Sequence, residues 1–69
     1  MKREPVKSSN LKSIGYDKAK KLLEIESHTG AVYQYLNVLE HIYKQLVRAP
    51  SIGKYFHQQI LNQYKFLKL

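Results

Sequence analysis

The sequence predicts a single α+β domain, a three-stranded antiparallel meander with two C-terminal helices packed on one face, in the order β-β-β-α-α. Apolar residues recur with a period of two through the first half of the chain and with a helical period through the second. The 69 residues also leave room for one domain only. A chain of that size buries about 60% of the surface its unfolded form exposes, so its core is thin and a deep catalytic cleft is not expected.

Residues 1–9, MKREPVKSS, are polar and basic and read as a disordered arm, with the domain proper spanning 10–69. The first strand is expected over 11–16, ended by a turn at Gly15-Tyr16-Asp17-Lys18. The second covers 20–27, with Leu23 and Ile25 on one face and Leu22, Glu24 and Glu26 on the other. His28-Thr29-Gly30 is a tight turn in which Gly30 supplies positive φ. The third strand, 31–36, is rich in β-branched and aromatic residues. The period then changes. Leu39, Ile42, Tyr43, Leu46 and Val47 share one helix face, with Asn37 as the expected N-cap and Glu40 three residues on. Pro50 stops that helix, because it disfavours helical geometry at Ala49, and Ser51 caps the next. Ile52, Phe56, Ile60, Tyr64 and Leu67 predict a second helix running to the C-terminus.

Charge is the other strong signal. Twelve basic and five acidic residues give a net charge of +7. Residues 1–21 carry +5, residues 22–47 carry −2 and residues 48–69 carry +4. Such a balance suits a polyanion, because each neutralised phosphate releases counterions, although lysines also keep small proteins soluble. The chain has no cysteine, which excludes disulfides and thiolate metal sites. No apolar run reaches membrane-span length, and Met1 to Pro5 lacks the apolar stretch of a signal peptide, so a cytoplasmic location without membrane attachment is expected.

Three strings carry a resemblance: Ser8-Ser9-Asn10-Leu11-Lys12-Ser13-Ile14-Gly15-Tyr16-Asp17, Gly30 followed by Tyr33-Gln34-Tyr35, and Ala49-Pro50-Ser51-Ile52-Gly53-Lys54-Tyr55-Phe56. In this order the chain resembles the KTSC domain over about residues 8–64. That domain is found in small stand-alone bacterial and phage proteins and at the C-terminus of some lysyl-tRNA synthetases. Its central Y-x-Y maps onto Tyr33 and Tyr35. The resemblance implies no established activity, and the synthetase context suggests RNA binding by analogy. This chain reads Val38-Leu39 where the family usually has Val-Pro, and Ile60-Leu61 where it tends to have Ile-Arg. Any phosphate contact made by that Arg in relatives is absent here.

Tyr33 and Tyr35 point to the same side of their strand, either as a base-stacking platform or, the reading the outward carboxylates favour, packed inward against the helices. The other sheet face would show Glu24, Glu26 and Gln34, with Leu22, Val32, Leu36 and also Ile14 and Tyr16. Its carboxylates repel phosphate, but its apolar area suits dimerisation. On the second helix Lys54, Gln58, Leu61, Lys65 and Lys68 form a stripe without an acid, with Arg48 just before it. Nucleic acid is expected there, assisted by Lys7 and Lys12, with binding that weakens as salt rises. Gly53 reads as close packing or as exposed backbone N–H near an anion. The three histidines lack ligand spacing, no serine has a base partner, and no glycine-rich phosphate loop exists, so neither metal, cofactor, small-molecule substrate nor catalytic residue is expected. The preferred function is non-enzymatic binding of RNA, tRNA or another nucleic acid. The alternative is a protein-interaction or homodimerising module, and the least favoured option is an accessory of tRNA synthetase function.

Overall fold

In the computed structural model, which describes residues 1–69, β1 (Arg3–Pro5), β2 (Leu11–Asp17), β3 (Leu22–Ser27) and β4 (Val32–Tyr35) precede α1 (Glu40–Arg48), α2 (Ile52–Gln59) and β5 (Phe66–Lys68). The strands form one antiparallel sheet in the order β1-β2-β3-β4-β5. The expected meander is its centre. Leu23 and Ile25 of β3 stand opposite Tyr35 and Tyr33 of β4, which puts all four on one face. Tyr16 and Ile14 pair with Leu23 and Ile25 and share that face. These two residues therefore belong to the helix side and not to the open face, where the sequence reading had placed them. Leu46 of α1 and Phe56 of α2, with Ile60 just beyond it, close over Ile14, Leu23 and Ile25 to make the core. Full burial of side chains of this size contributes about 1.5–3 kcal/mol each.

The turns follow the residues that can make them. Gly30 sits at φ +92°. The turn between β2 and β3 falls at residues 18–21, later than Gly15-Tyr16-Asp17-Lys18, and Lys21 takes φ +55°. Asn37 does not cap α1. It adopts left-handed φ +59°, which turns the chain so that fully buried Val38 donates its N–H to the Lys21 carbonyl at 3.0 Å. Leu39 occupies the cap position without a side-chain hydrogen bond. Ala49 is extended before Pro50, as the proline requires. Ser51 caps α2, its Oγ accepting from the Lys54 N–H at 3.3 Å.

The two edges of the sheet correct the sequence reading. Residues 3–5 are not part of a disordered arm, because β1 pairs with β2, and Pro5 is tolerated in an edge strand. The second helix does not reach the C-terminus. It ends at Gln59, Asn62 turns the chain at φ +69°, and Phe66–Lys68 returns as β5 beside β4.

Gly15 permits the first of these additions. Arg3 pairs with Gly15, and Gly15 with Glu24, in one row across the open face. A Cβ at Gly15 would sit 2.9 Å from the Lys2 carbonyl oxygen and 3.0 Å from Arg3 Cγ. The missing side chain lets Arg3 reach over β2 to an ion pair with Glu24. Glu24 also accepts from Gln34 Nε2 at 2.9 Å, and Glu26 accepts from Ser13 Oγ at 2.8 Å. Burial alone would raise the Glu24 pKa, but the hydrogen bonds from Gln34 and Arg3, with the charges of Arg3 and the N-terminal amine, hold it below the ordinary carboxylate value.

Candidate functional site

Opposite this network, on the helix face, α2 and the β3-β4-β5 edge enclose an open cleft of about 380 Å³. Its walls are aromatic and aliphatic. Tyr35 packs edge-on to Phe56 at 5.6 Å between ring centroids and tilted to Phe66 at 5.4 Å. Tyr33 meets Phe66 edge-on at 5.7 Å. Leu11, Ile25 and Leu61 complete the apolar lining, while Asn10, Ser27 and His57 supply polar groups. Phe66 reaches this site only because β5 forms, and it was absent from the sequence-based site for that reason. Its signal was the loose alternation of Phe66, Lys68 and their neighbours, a strand period read as a helix stripe.

Both tyrosines thus face inward. Tyr35 is 2% exposed and belongs to the core, whereas Tyr33 is half-buried at its edge. Burial, then the neighbouring Tyr33, raises the Tyr35 pKa, so its phenol is neutral at ordinary pH and can donate.

The cations divide. At one end of the sheet the loop before β2, the 28–30 turn and the start of α2 meet. His28 Nε2 lies 2.7 Å from the Ser8 carbonyl, and a Cβ on Gly53 would stand 2.9 Å from Asn10 Nδ2, which makes Gly53 a close-packing residue. Lys7, Lys12 and Lys54 belong to this end and all three are exposed, and Arg48, also exposed, closes α1 three residues before the Ser51 cap. Lys65 lies at the opposite end, where its carbonyl accepts from Leu36 N–H at 2.8 Å. Lys68 stands on β5 directly across from Tyr33. The expected single stripe of Lys54, Lys65 and Lys68 is therefore broken, because the helix that would have aligned them stops before Lys65. Among the twelve basic side chains, only Arg3, with Glu24 and Glu26, and Lys18, with Glu40, form ion pairs, so Lys7, Lys12 and Lys54 have none. No three His, Cys, Asp or Glu side chains come together as metal ligands. No helix is long and apolar enough to cross a membrane.

The chain matches the KTSC domain model over residues 7–64. It is 39% identical over 64 residues to an uncharacterized protein of Stutzerimonas stutzeri, covering 93% of this chain and 90% of that one. It is 34% identical over 61 residues to a lysine–tRNA ligase of Nostoc, covering 88% of this chain and 11% of the ligase. The crystal structure of a KTSC domain protein from Yersinia pestis superposes with a TM-score of 0.96 at 37% identity, covering 99% and 96% of the two chains. Since the family model spans most of the sequence and a relative of known structure shares the whole fold, the chain belongs to the KTSC domain family.

Proposed function

We propose that this domain is a non-enzymatic nucleic-acid-binding module that grips the phosphate backbone with Lys7, Lys12, Lys54 and Arg48, with Lys68 flanking. The observation that carries this reading is the gathering of cations without ion-pair partners around the Ser8–Asn10 loop and the first turn of α2. The carboxylates Glu24 and Glu26, which would repel phosphate, are turned to the other face of the sheet and engaged by Arg3. Unpaired lysines contribute mainly a sequence-independent, salt-sensitive affinity. The similarity to a short part of lysine–tRNA ligases makes tRNA the first probe, and a cytoplasmic location is part of the same proposal.

The test is a filter-binding titration of tRNA and random RNA over a salt series. Affinity should fall steadily from low to moderate salt, and Lys12→Glu with Lys54→Glu should abolish it. Lys65→Glu, at the far end, should change it much less. Salt-independent binding, or equal loss on all three substitutions, refutes the placement. A second reading, homodimerisation, is favoured by one feature: β5 is an edge strand with Leu67 and Leu69 exposed to 55% and 66%. A monomer in sedimentation at high micromolar concentration excludes it.

A further inference from the structure

We infer that the cleft between α2 and β4–β5 is a pocket for one unstacked nucleobase, with the Tyr35 hydroxyl at its floor; this deepens the nucleic-acid reading and rests on it. The pointer is Tyr35 itself. The residue is 98% buried by its 2% exposure, yet its hydroxyl makes no hydrogen bond within the protein. The two half-buried tyrosines whose pKa burial also raises have their hydroxyls satisfied, Tyr16 donating to the Val38 carbonyl at 2.5 Å and Tyr55 to Gln45 Oε1 at 2.8 Å. No side-chain polar atom is sealed from solvent without a partner, so the Tyr35 oxygen retains some access. Of the three cavities in the structure, only this cleft is lined by Tyr35.

The surroundings select the occupant. Phe56, Phe66 and Tyr33 offer ring faces and edges, the setting in which a planar heteroaromatic group stacks. The Asn10 amide and the His57 ring make no side-chain hydrogen bond within the protein, so polar groups stand ready at the rim for the edge of a base. A volume of about 380 Å³ is large enough for one base with its sugar. Lys54, one helical turn before His57, and Lys68, across from Tyr33, do not line the cleft but neighbour residues that do, and supply the cations nearest in sequence and register to its rim. A base in this cleft must leave its stack, so the pocket prefers single strands or splayed loops over duplex.

The experiment is an NMR titration of the full chain with AMP, adenosine, ribose 5-phosphate and inorganic phosphate. It is paired with affinities for a single-stranded RNA and the same sequence as duplex. AMP and adenosine should both move the ring signals of Tyr33, Tyr35 and Phe66, and ribose 5-phosphate should not. Tyr35→Phe, which removes one oxygen, should weaken AMP and single-strand binding roughly tenfold with an unchanged melting temperature. Phe66→Ala, at a half-exposed position, serves as the second variant and should do the same. If RNA binds with the expected salt dependence while both variants keep wild-type affinity, the base pocket is wrong and phosphate binding stands. If adenosine shifts the cleft signals but no RNA binds at any salt, the base pocket stands and the nucleic-acid reading falls. Shifts from AMP and ribose 5-phosphate that coincide and spare the cleft overturn the inference.

Discussion

Gly15→Ala tests the claim that the N-terminal strand depends on a missing side chain. The added Cβ would stand 2.9 Å from the Lys2 carbonyl oxygen, 3.0 Å from Arg3 Cγ and 3.3 Å from Met1 Cγ. Side-chain carbons can rotate away, but the Lys2 oxygen is backbone, so β1 itself must move. Overpacking of this kind costs about 1–3 kcal/mol. Replacing a glycine in a strand interior returns about 0.5–1 kcal/mol of conformational entropy. The balance runs up to a loss of about 2.5 kcal/mol, and because the clash is with backbone the upper half of that range is expected, which in a domain this small lowers Tm by about 4–8 °C per kcal/mol. Thermal unfolding followed by circular dichroism reads it directly. Hydrogen exchange adds a local signature, since the Val6 N–H bonded to the Lys12 carbonyl at 3.1 Å should lose protection while the core of β3 keeps it. The reasoning also requires coupling: in an Arg3→Ala background part of the clash is gone, so Gly15→Ala should cost less there. An unchanged Tm with intact β1 protection would falsify the proposed role of Gly15.

Three further outcomes follow from other contacts. Glu24 has a folded pKa below its ordinary value, so its contribution is present above the ordinary carboxylate range and is lost as pH falls through the lowered folded value. Glu24→Gln should cost about 1–2 kcal/mol at neutral pH and flatten the acid limb of the stability profile, as measured by urea unfolding from pH 7 downwards. A parallel acid limb would show that other carboxylates set it. Ser51→Ala removes the α2 cap and should cost about 1 kcal/mol, with Ser51→Gly costing only a few tenths; equal losses would argue against the hydrogen bond to Lys54 N–H. Tyr16→Phe leaves the carbonyl of buried Val38 without its 2.5 Å donor and should cost about 1–2 kcal/mol in denaturant unfolding, whereas no loss would mean that water replaces the hydroxyl.

What could be read in the sequence was what local chemistry decides. The alternation of Leu23 and Ile25 with Glu24 and Glu26 set the faces of the central strand, Gly30 set its turn, and Pro50-Ser51 set the break between the helices. The unread parts depend on partners distant in the chain. β1 and β5 are three residues each, too short to show a period of their own, so neither declares itself without a neighbour to pair with. Gly15 looked like a turn residue because glycine's freedom is visible in a sequence, while the approach of Arg3 and Lys2 from elsewhere is not. Tyr64 and Leu67 continued the spacing of Phe56 and Ile60, so the period alone carried the helix too far. The left-handed turn at Asn62 is a single-residue event that a periodic count passes over.

The same distinction governs the charge. The segment totals identified a mildly acidic middle between two basic ends, but they gave no information on which side of the molecule each charge lies. The β period resolves half of it: Glu24 and Glu26 must oppose Leu23 and Ile25, and the helices must cover the latter. The acids of the central strand are thereby held on the face away from the cleft, where Arg3 engages both. Their ion pairs with Arg3 partly neutralise these acids, so they offset less of the positive charge at the Lys12–Lys54 end than unpaired carboxylates would. The composition therefore understates how positive that end is. The net charge of +7 is therefore unevenly offset, since Glu24 and Glu26 on the open face are engaged by Arg3 and Glu40 of α1 by Lys18, while Lys7, Lys12 and Lys54 have no ion-pair partner.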